Sequence, residues 1–209
     1  MTGEIAAAGD AARAVLEAKH QAREVTLRAS RGAIRSCATA IRAVHREEFH
    51  RARELIAEAA AYLAEADTAI GVHHDIRHAG FLTDAQKEFA EANLTLAFVA
   101  GQPLPMADQL NVAVAPYLNG MAEAASELRR QALDCLRRGE VGRAEELLAR
   151  MDDVYSMLVT VDYPDAITGG LRRTTDALRA VLERTRGDVT TAIVAARLQA
   201  AVEGRAAGT

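Results

Sequence analysis

Apolar residues recur three and four positions apart along most of this chain, the spacing of helices that each bury one face. Leu27, Ile34, Ile41 and Val44, with Cys37 and Ala38 between them, draw one apolar side along a first helix over 11–45. Residues 1–10 carry little pattern and are expected to be disordered. A second helix over 48–69 turns Phe49, Leu55, Ile56, Tyr62 and Leu63 inward. The stretch from Arg46 to Ile56 echoes that from Arg138 to Leu148, and Gly139 marks a helix stop in the second copy. A break at 46–48 is therefore expected in the first. Residues 71–82 read as a polar loop, after which Thr83 and Gln86 form a capping box for a third helix ending near Gly101. From Ala90 to Ala100 that helix is apolar almost all round, which predicts burial. A break over 102–114 holds Pro103 and Pro105, and Pro116 opens a fourth helix running to Arg138. A fifth covers 142–161, and Asp162 and Pro164 start a sixth. Gly187-Asp188 is expected to end that element and cap a last helix to Glu203.

Composition favours an all-α chain, long enough for one domain or two. Of 209 residues half are hydrophobic, only 4% are aromatic and four are proline. No run reaches the length of a membrane span, and the first residues lack the layout of a secretory signal. Cys37 and Cys135 are too few for a metal or disulfide framework and read as reduced core residues of a cytoplasmic protein. A net charge of −4 argues against a generic nucleic-acid coat but leaves room for a local basic surface. Apart from Lys19 and Lys87 every base is arginine, which grips phosphate bidentately.

The candidate chemistry lies in two acidic pairs. Glu88 and Glu91 are three apart on the third helix, and Glu123 and Glu127 four apart on the fourth, so each pair shares a helix face. If the faces converge, four carboxylates surround a small volume, and a divalent cation relieves their repulsion. Hard oxygens without Cys or His suit Mg²⁺, with Mn²⁺ as the alternative. The plain reading stands beside it: Glu123 and Glu127 share a polar stripe with Asn119, Arg130 and Asp134, as a solvated face would. A carboxylate on the mostly buried third helix is costly unless paired or metal-bound. On the first helix Arg28, Arg31, Arg35, Arg42 and Arg46 fall in a stripe roughly 60° wide. That stripe is either a phosphate-binding surface or a solvated face eased by Glu24 and Glu47. The 71–82 loop also holds His73, His74 and His78 with Arg77. His74 and His78 have zinc-compatible spacing, but no cysteine, no His-Glu-x-x-His pattern and no obvious third ligand accompany them, and a polar loop is the reading taken. Glu17-x-x-His20 and Glu47-x-x-His50 mimic the ligand pair of ferritin-like di-metal oxidases.

An ordered set of motifs then resembles the translin family, specifically its prokaryotic members related to translin-associated factor X. The set runs Glu24-x-x-Leu27-Arg28-x-Ser30-Arg31, Ala40-Ile41-Arg42-Ala43-Val44-His45-Arg46 and His78-Ala79-Gly80-Phe81-x-x-Asp84-Ala85-x-x-Glu88. It continues with Tyr117-Leu118-x-Gly120-x-x-Glu123-x-x-x-Glu127-Leu128, the tail from Tyr163 to Arg173, and Glu183-Arg184-Thr185-Arg186-Gly187-Asp188. The resemblance implies a single-domain, all-α, seven-helix α-superhelical subunit over residues 1–209, assembled into a hollow octamer that encloses RNA or DNA. In the catalytic branch it implies Mg²⁺-dependent endoribonuclease activity through a Glu-x-x-Glu pair and a second acidic pair four apart. Those positions are Glu88, Glu91, Glu123 and Glu127 here, with Glu standing where the family pattern has Asp at 123. The expected function is cleavage of single-stranded RNA at a four-glutamate Mg²⁺ site, with Arg28, Arg31, Arg35, Arg42, Arg46, Arg77 and His78 neutralising phosphates. The alternative is a non-catalytic binder of RNA or single-stranded DNA. A di-metal oxidase and a purely structural helical oligomer are the remaining readings.

Overall fold

The structure is a computed structural model that describes residues 2–206. Among them the chain forms seven α-helices and no strand: α1 (Thr2–His45), α2 (Phe49–Ile70), α3 (Gly80–Ala100), α4 (Val114–Arg137), α5 (Val141–Val159), α6 (Asp165–Thr168) and α7 (Leu171–Ala206). A 3₁₀ turn, His74–His78, joins α2 to α3. The all-α architecture and the helix number agree with the sequence expectation, but three boundaries do not.

Helix α1 starts at Thr2, so residues expected to be disordered are helical and Met1 alone of that stretch lies outside the described residues. Ala6, Ala7 and Ala8 carry high helix propensity, and the helix propagates into solvent without a core to rest on. Helix α3 begins at Gly80, not at a Thr83 capping box. The Thr83 hydroxyl bonds back to the Ala79 carbonyl, while Ile76 and Leu82 bury against Ala66 and Ile70 and pin the chain one turn earlier. The third difference concerns the glycines of the C-terminal third. Gly169 and Gly170 take φ of 61° and 82°, values that a right-handed helix cannot contain, so the break falls there and leaves α6 a single turn. Gly187 stays within α7 because Leu178, Leu182, Thr185 and Val189 hold one buried face across it. A methyl group at Gly187 would meet nothing within 4 Å. Gly187→Ala is therefore expected to stabilise the protein by about 0.5–1 kcal/mol, a small rise in Tm on thermal melting.

The echoed turns are one structure used twice. Glu47 and Gly139 sit at φ of 60° and 76° in the centres of the two turns. In each, the amide two residues after the arginine reaches back to an earlier carbonyl, Glu48 to Ala43 and Glu140 to Cys135, at 2.9 Å. Arg46 forks onto Glu48, and Arg138 onto Glu140, with N–O distances of 2.8–3.0 Å. The first turn brings α2 back along α1, and the second brings α5 back along α4.

Helix α4 is the hub, packed on α3, α5 and α7, while α1 packs on α2 and α3. Val44, Leu94, Leu128, Leu147, Met151, Leu158, Leu178 and Leu182 form the best-buried part of the core. Alanines with no exposed surface line the contacts between helices, among them Ala40, Ala90, Ala122, Ala124 and Ala125, so the axes approach closely. No described helix is long and apolar enough to cross a membrane. Cys37 and Cys135 are both buried and free.

Candidate metal centre

The site forms where α3 meets α4, and Gly120 sets the distance between them. A Cβ at this position would lie 2.6 Å from the Lys87 carbonyl oxygen and 3.0 Å from the Glu91 amide nitrogen. Only a residue without a side chain permits that approach. One turn further along α4, Glu123 is thereby carried against Glu88 and Glu91 of α3. Each of the three offers a carboxylate oxygen within 4.8 Å of the others.

Glu91 is the innermost, only 7% exposed, while Glu88 and Glu123 are half-buried. Burial pushes the Glu91 carboxyl up to about 9, helped by the charges of Glu88, Glu123 and Glu127 and opposed by Lys87. Without a cation this acid holds its proton at neutral pH. The thiol of Cys37 is pushed up to about 12 by burial and then by Glu88 and Glu91, so it is an inert neighbour of the site.

Glu127 stands apart from the three. Its Oε2 accepts a 2.6 Å hydrogen bond from Nε2 of His45, whose side chain is 2% exposed, while its charge still acts on Glu91. His45 Nδ1 is buried and has no partner among the described residues. Lys87 supplies the remaining charge: its ammonium lies 2.8 and 2.7 Å from the two carboxylate oxygens of Glu123 and 3.4 Å from Glu88. Burial alone would lower the pKa of this lysine, but the bonds to Glu123 and the charge of Glu88 outweigh it and the net shift is upward.

The donor set fits a hard divalent cation. All the converging ligand atoms are carboxylate oxygens, and burial, helped by the neighbouring negative charges, keeps one of the acids protonated.

The arginine stripe is exposed along α1. Arg31, Arg35 and Arg42 lie about 120–160° around the helix from Cys37, the α1 residue on which the charges of Glu88 and Glu91 act, so they do not point at the acidic centre. Arg31 and Arg35 have no carboxylate partner among the described residues, and Arg42 donates to Thr39. Arg28 stands 3.6 Å from Glu65, and Arg46 is held in the turn by Glu48. Arg77 pairs with Asp67 at 2.7 Å, where Lys19 and Asp75 also meet, far along α1 from the acids. His78, next to it, is exposed.

A curated relative from Methanocaldococcus jannaschii, the uncharacterized protein MJ0175, is 30% identical over 180 residues, covering 84% of this chain and 78% of the relative. The crystal structure of AfC3PO is 30% identical, with a TM-score of 0.81 over 89% of this chain and 97% of that one. A complex of AfC3PO with duplex RNA superposes with a TM-score of 0.79, covering 89% and 96% at the same identity. This chain belongs to the translin family. Apo-NeC3PO, 15% identical, shares the fold with a TM-score of 0.77 over 88% of this chain and 96% of its own. No protein-family model matches the chain.

As a translin-family chain it brings three of its four expected acids together and ties the fourth to a histidine. Reading the sequence missed three partners. Lys87 adjoins Glu88, which places it about 100° around the helix, and its long stem reaches Glu123 only because α4 is so near. His45 was visible as part of a motif, with nothing in the spacing to name Glu127 as its partner. Asn119 was placed on a polar stripe that could have been solvated, yet it is 6% exposed. It donates to the Ala115 and Thr168 carbonyls at 2.9 and 2.8 Å and accepts from the Thr174 hydroxyl at 2.7 Å, tying α4 to α6 and α7. Glu17 and His20 lie exposed on α1 far from Glu47 and His50, so the two oxidase-like pairs do not form one site.

Proposed function

We propose that this chain is a metal-dependent endoribonuclease that cuts single-stranded RNA within a hollow homo-oligomer, an octamer. The observation that carries the reading is the convergence of Glu88, Glu91 and Glu123 from two helices, with Lys87 offsetting only part of their charge. These three side chains would hold Mg²⁺ or Mn²⁺, which when bound orients the scissile phosphate and acidifies a water. Glu127, held at Oε2 by His45, or Glu88 would take the proton of the attacking water. Arg31, Arg35 and Arg42, with no carboxylate to satisfy, would meet the RNA backbone first. The exposed pairs of Arg28, Arg46 and Arg77 are weak enough to exchange for phosphate, and His78 adjoins Arg77. With 4% aromatic residues and no tryptophan, an enclosed basic surface suits this chain better than an open stacking platform. AfC3PO is described with duplex RNA, which supports a phosphate path across this fold.

A second reading is a binder of RNA or single-stranded DNA without catalysis, favoured by the fact that Lys87 and the protonated Glu91 offset part of the acidic charge without metal. Incubation of labelled single-stranded RNA, duplex RNA and single-stranded DNA with Mg²⁺, Mn²⁺ or EDTA separates the two. Products that appear with metal and vanish with EDTA are expected, together with loss of cleavage but not of RNA binding in Glu123→Ala and Glu127→Ala. Salt-sensitive binding with no metal-dependent product would leave only the binder. Cleavage retained in both variants would remove the site assignment.

A further inference from the structure

The acidic centre already contains a cation. Lys87 is one of two lysines in the chain, and its ammonium contacts both oxygens of Glu123 and stands 3.4 Å from Glu88. Those are two of the three carboxylates that face one another across the α3–α4 seam. Any ion drawn into this volume must take oxygens that Lys87 now holds. We propose that Lys87 is a displaceable counter-ion that competes with the divalent cation for Glu123 and so sets how readily the centre loads.

The choice of side chain supports this role. A guanidinium would fork onto Glu123 and lock the pair, whereas an ammonium on a four-carbon stem is a point charge that can rotate away. The Lys87 side chain is 24% exposed, so it has solvent to move into, and Gly120 against the Lys87 carbonyl keeps the backbone beneath it fixed while it moves. A purely structural staple between α3 and α4 needs no such freedom. Loading the centre therefore breaks two charge-assisted bonds of the ammonium and brings a divalent ion close to a positive charge, and both effects weaken metal binding. With Lys87 in place part of the seam's negative charge is offset in the absence of metal, and an anion near the rim, such as an RNA phosphate, offers the released ammonium a new partner.

This inference rests on the metal-site reading, and one titration distinguishes its failure from that of the reading. Free Mn²⁺ is followed by its electron paramagnetic resonance signal as it is added to the full-length protein at fixed pH, with circular dichroism melting on the same samples. Wild type is expected to bind, Lys87→Met to bind about tenfold more tightly, and Lys87→Arg more weakly than wild type. Lys87→Gln, which keeps a polar head without the charge, is expected to follow Lys87→Met and covers the case in which the methionine variant folds poorly. Binding by wild type that is unchanged or weakened in both neutral variants overturns the competition and leaves Lys87 a structural staple. Absence of Mn²⁺ binding by wild type and by both neutral variants overturns the metal centre itself.

Discussion

Glu91→Gln is expected to free the metal-free protein from a loss of stability that wild type suffers as the pH rises from about 5 to about 8.5. The folded Glu91 carboxyl titrates at about 9, against 4.5 for an unperturbed one, so between those values the native state holds a proton that the unfolded chain has released. Stability then falls with rising pH, by at most about 1.4 kcal/mol per unit, being fully present below the unfolded pKa and lost as the pH climbs through the folded one. Glutamine mimics the protonated acid at every pH and removes that slope. The same variant should lose metal-induced stabilisation and drop metal-dependent cleavage by more than about a hundredfold, since it removes a ligand outright. In wild type the metal must expel the Glu91 proton, so stabilisation by Mg²⁺ or Mn²⁺ should grow toward alkaline pH with proton release. Melting curves of both proteins from pH 5 to 8.5, with EDTA and with Mn²⁺, check all of this. Parallel pH profiles for the two metal-free proteins would show that Glu91 is ionised in the native state without metal.

Gly120→Ala should damage both the fold and the centre, although alanine is the better helix former by about 1 kcal/mol. The new Cβ would lie 2.6 Å from the Lys87 carbonyl and 3.0 Å from the Glu91 amide, both backbone atoms of α3 that cannot swing aside. The helices must part, at a cost of about 1–3 kcal/mol, which for a chain of this size lowers Tm by about 3–10 °C. Because Glu123 rides on α4 and its partners on α3, the same movement separates the ligands, so Mn²⁺ affinity should fall with the melting temperature. The contrast with Gly187→Ala, expected to raise Tm, isolates the cause: one glycine faces backbone and the other faces open space. A Gly120→Ala protein that melts like wild type and keeps its Mn²⁺ affinity would show that the close approach is not what builds the centre.

Much of this was legible because helical periodicity is a local signal. The buried run of α3 could be read from its lack of a polar side, and its Glu91 stood out as a charge where none is tolerated unaided. The turn at 46–48 was legible from its twin at Gly139, though its central residue is Glu47. A non-glycine there adopts φ of 60° because the arginine fork onto Glu48 and the returning Glu48 amide hold the turn. The helix breaks in the C-terminal third were not legible. Gly169-Gly170 and Gly187 look alike in sequence, and only the buried face that continues through Thr185 and Val189 decides that the second one stays helical.

What the sequence determined by itself was the set of helices, the faces they bury and the two acidic pairs, because each depends on residues within a turn or two of one another. The tertiary structure decided which charges meet. It placed Glu123 with Glu88 and Glu91, gave Glu127 to His45, and let Lys87 reach across to Glu123. Those partners lie 36 to 82 residues apart in the pairs through Lys87 and His45, and no local spacing encodes such a distance. The separation of two helix axes does, and here a single absent side chain at Gly120 fixes it.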